Sequence, residues 1–413
     1  MATVALTELL GSPVFDAAGG QVGRVREVAL TPQDDRSRVS TFIVKTKSGN
    51  RALPFAAIGS INGGVYATTP ASSWTLADGS EGLFLLERDL LDQQIIDVHG
   101  RKVVRVNDVD LQQETSNNRP QLRVSSVDVG IRGAVRRLLK GVVPMMALRT
   151  LLVQLPPRPI PWDFVDLIET DPARRVKLKI SHDRLATLHP ADIADIIEDL
   201  SPNEREAVLE TLDEEVAAGA LEELEPKVQK AVVESLDSER AAGIVEEMNP
   251  DAAADLLGEL PEERTSQILK EMQPAERQEI AELMEFGENT AAGRMNTEFL
   301  AVGVSSTVRD GVEALRHFEG GPESVSTIFL VDSHGTLSGA VPLANVVLAM
   351  GNDPMLSLTQ EPLISCSEET RDKEVVELFD KYNLLALPVV DEHKKLAGVI
   401  TADDIINLLR AKL

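Results

Sequence analysis

The chain has 413 residues, with 67 acidic and 41 basic side chains, a formal net charge of −26 and one cysteine. That length exceeds what one hydrophobic core organises, so two to four domains are expected. The acidity argues against a nucleic-acid partner, because phosphate would be repelled, and the lone Cys366 excludes an intramolecular disulfide and fits a reducing cytoplasm.

Residues 1–10 show neither a basic start nor a long apolar run, so no secretory leader is expected. The front of the chain is duplicated. Residues 9–30 and 90–111 match at an offset of 81, Leu90 against Leu9. Phe15-Asp16 pairs with Ile96-Asp97, Gly19 with Gly100, Val22 with Val103, Arg24-Val25 with Arg105-Val106 and Val28 with Val109. Asp-x-x-Gly marks a turn, and the alternating valines after it fit a half-buried strand. Further strands are expected at 39–45 and 121–128. Asp16 and Asp97 read as turn formers, with no catalytic constellation around them.

Residues 141–155 are apolar, with Arg136, Arg137 and Lys140 just ahead of them. About 15 residues are too few to span a bilayer. The segment fits an interdomain helix or a peripheral membrane contact. Residues 155–162 are proline-dense and are expected to form an extended, stiff spacer.

A ladder follows. Leu188, Leu200, Leu212, Leu224, Leu236, Met248, Leu260, Met272 and Met284 are spaced twelve apart. A second rung holds the same spacing: Ile196, Val208, Ala220, Val232, Ile244, Leu256, Ile268 and Ile280. At about 100° per residue, twelve residues rotate a helical stripe by roughly 120°, so one continuous helix cannot use the pattern. Pro190, Pro202, Pro226, Pro250 and Pro274 suit the first turn of a helix, and Ser201, Asp213 and Asn249 sit where N-caps belong. The reading is about eight short helices stacked as a solenoid. Residues 188–284 hold 27 acidic and 7 basic side chains, a balance of −20. Most of these carboxylates read as solvated helix faces. A wall of them facing another acidic domain would also repel it, and divalent cations would close that gap.

From about Met295 two halves share one order of elements. Helical stretches at 308–318 and 373–382 precede short buried strands at 326–332 and 387–391, and second strands follow at 337–341 and 396–401. Cys366, between Ser365 and Ser367, reads as a small buried residue. The six histidines do not cluster, and no Ser-His-Asp set or phosphate-cradling loop is suggested, so an enzyme is not expected.

Three family resemblances follow from these motifs. The duplicated strand–glycine–strand units resemble PRC-barrel domains, which implies docking to other macromolecules. Leu387-Pro388-Val389-Val390-Asp391 and Gly398 to Asp404 resemble a CBS pair, in which the matching Thr401 and Asp404 would hold the phosphate and ribose of a nucleotide such as ATP or AMP. A cap on the final helix is the alternative role for both residues. In the first half, Pro342 and Asn345 replace that threonine and aspartate.

A twelve-residue superhelix leading into a CBS pair, bridged by Gly293-Arg294-Met295-Asn296-Thr297-Glu298-Phe299-Leu300-Ala301-Val302, is similar to the cytosolic part of MgtE magnesium channels. That resemblance implies Mg²⁺, or Mn²⁺, between superhelix and CBS pair. It assigns Asp251 and Asp255, which an i, i+4 spacing puts on one helix face, together with Asp404. Asn383 and Asn407 stand where acidic ligands are expected, and an amide carbonyl still suits a hard cation with one charge fewer.

The sequence therefore predicts a multidomain α+β chain: N-terminal small β-barrels, a central all-α superhelical solenoid of 12-residue repeats and a C-terminal α/β CBS pair. The boundaries are 1–75 and 82–135 for the barrels, 136–184 for a linker, 185–284 for the superhelix, and 285–352 and 353–413 for the CBS halves. The chain ends without a pore, so the expected function is a cytoplasmic divalent-cation sensor. It would dimerise through the CBS pair and signal through the barrels to a partner such as a metal transporter. An adenine-nucleotide sensor and a ligand-independent scaffold are the alternatives.

Overall fold

The computed structural model describes residues 3–31, 35, 37–77, 83–116, 119–139, 158–168, 182–287, 289–318 and 325–411. Contacts divide the chain into two units, Met1–Leu224 and Glu225–Leu413.

In the first unit, β1 (Thr3–Ala5) and α1 (Leu6–Leu9) precede β2 (Pro13–Phe15) and β3 (Gln21–Leu30). The expected turn joins β2 to β3. Asp16 Oδ1 accepts from the Ala18 N–H at 3.1 Å, and Gly19 adopts φ 78°, a conformation open to glycine because it has no Cβ. With β4 (Val39–Thr46), β5 (Gly49–Pro54), β6 (Ile58–Ile61), β7 (Val65–Ala67) and β8 (Thr75–Leu76) the strand order is β6-β7-β2-β3-β4-β5-β8.

The second copy begins with β9 (Phe84–Leu85) and α2 (Leu86–Asp89). It continues through β10 (Gln94–Asp97), β11 (Lys102–Arg105), β12 (Asp108–Ser116), β13 (Arg119–Asp128) and α3 (Ile131–Leu139). The leading strand of each copy pairs with the other copy: β1 joins β12, Ala5 opposite Asp110, and β9 joins β3, Ala29 opposite Leu85. A buried carboxylate anchors each exchanged segment. Glu27 accepts from the N–H groups of Glu87 at 2.8 Å and Arg88 at 3.1 Å, at the start of α2. Asp108, which lies 81 positions after Glu27 (108 − 27), accepts from the N–H and hydroxyl of Thr7 in α1 and from Arg136 Nη1 at 2.7 Å. One hydrophobic core runs through both copies, from Leu6 and Phe42 to Leu86, Leu122 and Ile160.

The expected spacer at 155–162 is corrected over its described part. β14 (Pro159–Pro161) pairs with β13 and β15 (Val165–Leu167) with β10, so the second β unit extends beyond residue 135. Two prolines fit β14 because it is the edge of the order β1-β12-β13-β14, where an absent N–H breaks no central ladder. The apolar stretch 141–155, read as an interdomain helix or membrane contact, lies outside the described residues.

The ladder resolves into eight helices: α4 (Pro190–Asp199), α5 (Pro202–Leu209), α6 (Glu214–Glu222), α7 (Pro226–Ser235), α8 (Ser238–Glu246), α9 (Pro250–Glu259), α10 (Glu262–Glu271) and α11 (Pro274–Met284). Five start on their proline. Ser201 and Asp237 hold cap hydrogen bonds, the first to the Glu204 carboxylate and the second from the Arg240 N–H at 2.8 Å. Every residue of the Ile196–Ile280 rung is buried. The Leu188 rung is buried from Leu200 to Met272 and half-buried at its two ends, where stacking stops. Helices rest chiefly on the next but one: α4 on α6 in the first unit, and α7 on α9, α8 on α10 and α9 on α11 in the second.

The second unit ends in the two expected α/β halves. The first holds β16 (Ala301–Gly303), α12 (Val308–Arg316), β17 (Thr327–Val331), β18 (Leu337–Pro342) and α13 (Leu343–Leu348). The second holds β19 (Cys366–Ser367), α14 (Asp372–Tyr382), β20 (Ala386–Val390), β21 (Leu396–Thr401) and α15 (Ala402–Ala411). Their hairpin turns meet, with the Leu337 N–H donating to Lys394 O at 3.0 Å and the Leu396 N–H to Gly335 O at 3.1 Å. The expected division at 352/353 does not separate them cleanly. The N–H groups of Val308 and Met355 tie 306–308 to 353–355 in the first half, whereas residues 289–296 bond to the second half.

Candidate functional site: the joint between superhelix and CBS pair

Residues 289–297 form a strap between α11 and the α/β halves. Its backbone is stapled to the second half on two sides. Ala291 N–H donates to Thr370 O at 2.7 Å and Ala292 N–H to Glu368 O at 3.0 Å, while Asn296 and Val399 exchange both backbone bonds at 2.8 and 2.9 Å. Gly398 makes the approach feasible: a Cβ there would lie 2.7 Å from Met295 Sδ and 3.0 Å from Asn296 O. Strap side chains then reach the superhelix. Asn296 Nδ2 donates to Asn249 Oδ1 at 3.3 Å, and the Thr297 hydroxyl donates to Glu279. Burial and the neighbouring Glu279 carboxylate push the Glu298 carboxyl above its ordinary value.

A cleft of about 200 Å³ opens between α9, α11 and the strap, lined by Asp251, Asp255, Glu259, Phe286, Arg294 and Met295 among others. The i, i+4 spacing does place Asp251 and Asp255 together, the first half-buried and the second exposed. Opposite them stands Arg294. Its Nη1 lies 3.0 Å from Asp255 Oδ2, and its Nε lies 3.7 Å from Oδ1 of the buried Asp372 at the start of α14.

Thr401, Asp404 and Asn383 lie at helix ends. Asp404 Oδ2 accepts from the Thr401 N–H at 2.7 Å and hydroxyl at 2.9 Å, the cap geometry of α15. Thr307 and Asp310 repeat it at the start of α12. Burial raises the Asp404 carboxyl above its ordinary value, the Thr401 bonds and the charge of Arg294 pull against that rise, and Asp403 adds to it. Asn383 caps the C-terminus of α14 in the left-handed region at φ 48°, which asparagine tolerates, and its side chain is exposed. Asn407 is exposed on α15. Neither asparagine lines the cleft.

Among the described residues, no three carboxylate, histidine or cysteine side chains gather into a group able to hold a metal. Two carboxylates one turn apart in an open cleft do fit a hydrated Mg²⁺, which keeps most of its waters. Arg294, Asp372 and Gly398 were not assigned from the sequence. The available signal for Arg294 was a basic residue in the bridging segment between two acidic stretches.

Residues 188–289 match the MgtE intracellular N domain, residues 357–411 the CBS domain and residues 1–73 the PRC-barrel domain. The chain is thus similar, segment by segment, to a PRC-barrel domain, an MgtE intracellular N domain and a CBS domain. It is 30% identical over 136 residues to the magnesium transporter MgtE of Thermus thermophilus, and 28% identical over 134 residues to that of Enterococcus faecalis. These alignments cover 33% and 32% of this chain, and the chain spans 30% of the length of each relative. Two solved structures share the fold. The soluble part of a magnesium transporter matches with TM-score 0.53 and 24% identity over 56% of this chain and 91% of that one. The cytosolic domain of the Mg²⁺ channel MgtE in complex with ATP matches with TM-score 0.52 and 28% identity over 56% and 94%. No helix among the described residues is long and apolar enough to cross a membrane.

Proposed function

We propose that this chain senses a divalent cation, Mg²⁺ or Mn²⁺, at the joint between its superhelix and its CBS pair, and that its β region passes the resulting state to a partner such as a metal transporter. The observation that carries this reading is the pairing of Asp251 and Asp255 in a cleft that faces the strap. An ion there would draw α9 toward the second CBS half, because the carboxylates and the buried Asp372 share one sign. In the geometry described Asp404 would contribute field rather than direct ligation, and the neutral Asn383 and Asn407, outside the cleft, would take no part. Exposed Val347, Leu348, Met350, Leu385, Ile406 and Leu409 on the CBS halves support a homodimer through that pair, since apolar side chains so open to water favour a second copy.

The test is hydrogen exchange of residues 249–297 in the full chain with and without millimolar Mg²⁺. Protection should rise with Mg²⁺ and be lost in the Asp251→Asn/Asp255→Asn double variant. No change in the wild type would sink the reading. Nucleotide sensing is the second reading, favoured by the ATP complex of the related cytosolic domain. Calorimetry with ATP and AMP on the wild type and on Asp404→Ala separates the two.

A further inference from the structure

We infer that Arg294 is a built-in cation of the joint: its guanidinium, bridging Asp255 of α9 and Asp372 of α14, holds the superhelix against the second CBS half without metal and competes with any divalent ion for Asp255. The backbone on either side of Arg294 is bonded into the second half through Ala291, Ala292 and Asn296, so its position belongs to that half. Its charge is delivered across the gap to Asp255 at 3.0 Å, while Nε faces Asp372 and the field reaches Asp404. Three carboxylates from two elements of the second CBS half and one helix of the superhelix therefore converge on a single permanent charge. Arginine suits the position because it stays protonated and its planar fork addresses two carboxylates at once. A hydrated divalent ion at Asp251 and Asp255 must displace or repel this guanidinium, so Arg294 sets the concentration at which the joint answers to metal.

The cation-sensing reading enters only through the second of two measurements. The first is hydrogen exchange of residues 285–297 in the metal-free full chain, in EDTA. Arg294→Gln should raise the exchange rate about threefold, the size expected for a partly exposed ion pair. Arg294→Lys should fall between. Asp255→Asn should raise the rate in the same direction but by less, because Arg294→Gln also loses Asp372, and the double variant should go no further than Arg294→Gln, because the Asp255 contact is already gone in it. Unchanged exchange in both single variants, or fully additive effects, would overturn the inference.

The second measurement is a Mg²⁺ titration of the same signal. Arg294→Gln should respond at roughly tenfold lower Mg²⁺ than the wild type, since a unit positive charge a few ångströms away has been removed. A response at equal or higher Mg²⁺ would overturn the competition. If neither protein responds to Mg²⁺ while the metal-free result holds, the sensing reading fails and the built-in cation stands.

Discussion

The superhelix and the β region are both internal repeats, yet they build their cores in opposite ways. In the superhelix each helix is buried by neighbours a few dozen residues away, and the two rungs that mark the period are the residues that fill the core. In the β region each copy gives its leading strand and helix to the other, and Glu27 and Asp108 hold the exchanged pieces. The first kind of repeat can lose a layer and keep the rest. The second is one cooperative body, because neither copy closes its core without residues of the other.

Three measurements break or sharpen that contrast. Asp108→Ala should cost about 3–5 kcal/mol, since Arg136 would be left buried without its nearest carboxylate and Thr7 without its acceptor. Thermal melting followed by exchange should show both β copies loosening together. If only the segment around Thr7 loosens, the exchange of strands does not couple the copies.

Leu256→Ala in the second rung should cost about 2–5 kcal/mol through the cavity it leaves. Here exchange should rise in α7, α9 and α11 and stay unchanged in α12 to α15. Loosening that spreads through the CBS halves would show the ladder to be more cooperative than its local contacts suggest.

The smallest effect is a pH dependence. Burial raises the Glu27 carboxyl above its ordinary value, against the N–H groups of Glu87, Val28 and Arg88. The folded chain therefore binds this proton more tightly than the unfolded chain, so the stability it adds is complete below the ordinary carboxylate value and fades as pH rises through the raised one. The melting deficit of Glu27→Gln relative to the wild type should be largest near pH 4 and shrink toward pH 7. A deficit constant with pH would mean that Glu27 acts only as an acceptor.

The same contrast sets how much was legible in the chain. The ladder could be read helix by helix because its period, its proline starts and its buried rungs are one local signal. The 81-residue offset revealed two β copies but not their exchange, because a strand's own pattern says which face is buried and not which partner supplies the next hydrogen bonds. Residues 155–162 read as a stiff spacer because their prolines suit an edge strand and an extended link alike. At the joint, the spacing of Asp251 and Asp255 put them on one face, as the structure has it. Thr401 and Asp404 satisfied a site motif and a helix cap equally, and in the structure their hydrogen bonds are those of the cap.

What the amino-acid order determined by itself is therefore the periodic part: eight short helices, two duplicated pairs and an acidic surface, all set by local propensity and by which side chains avoid water. What only the tertiary structure decided is partnership. It exchanged the leading strands of the β copies, stapled 289–297 to the second CBS half, and brought Arg294 to Asp255 and Asp372. Those contacts join residues 39 and 78 positions apart (294 − 255 and 372 − 294), and charges that meet across such distances are chosen by how packed elements face one another, not by the sequence around them.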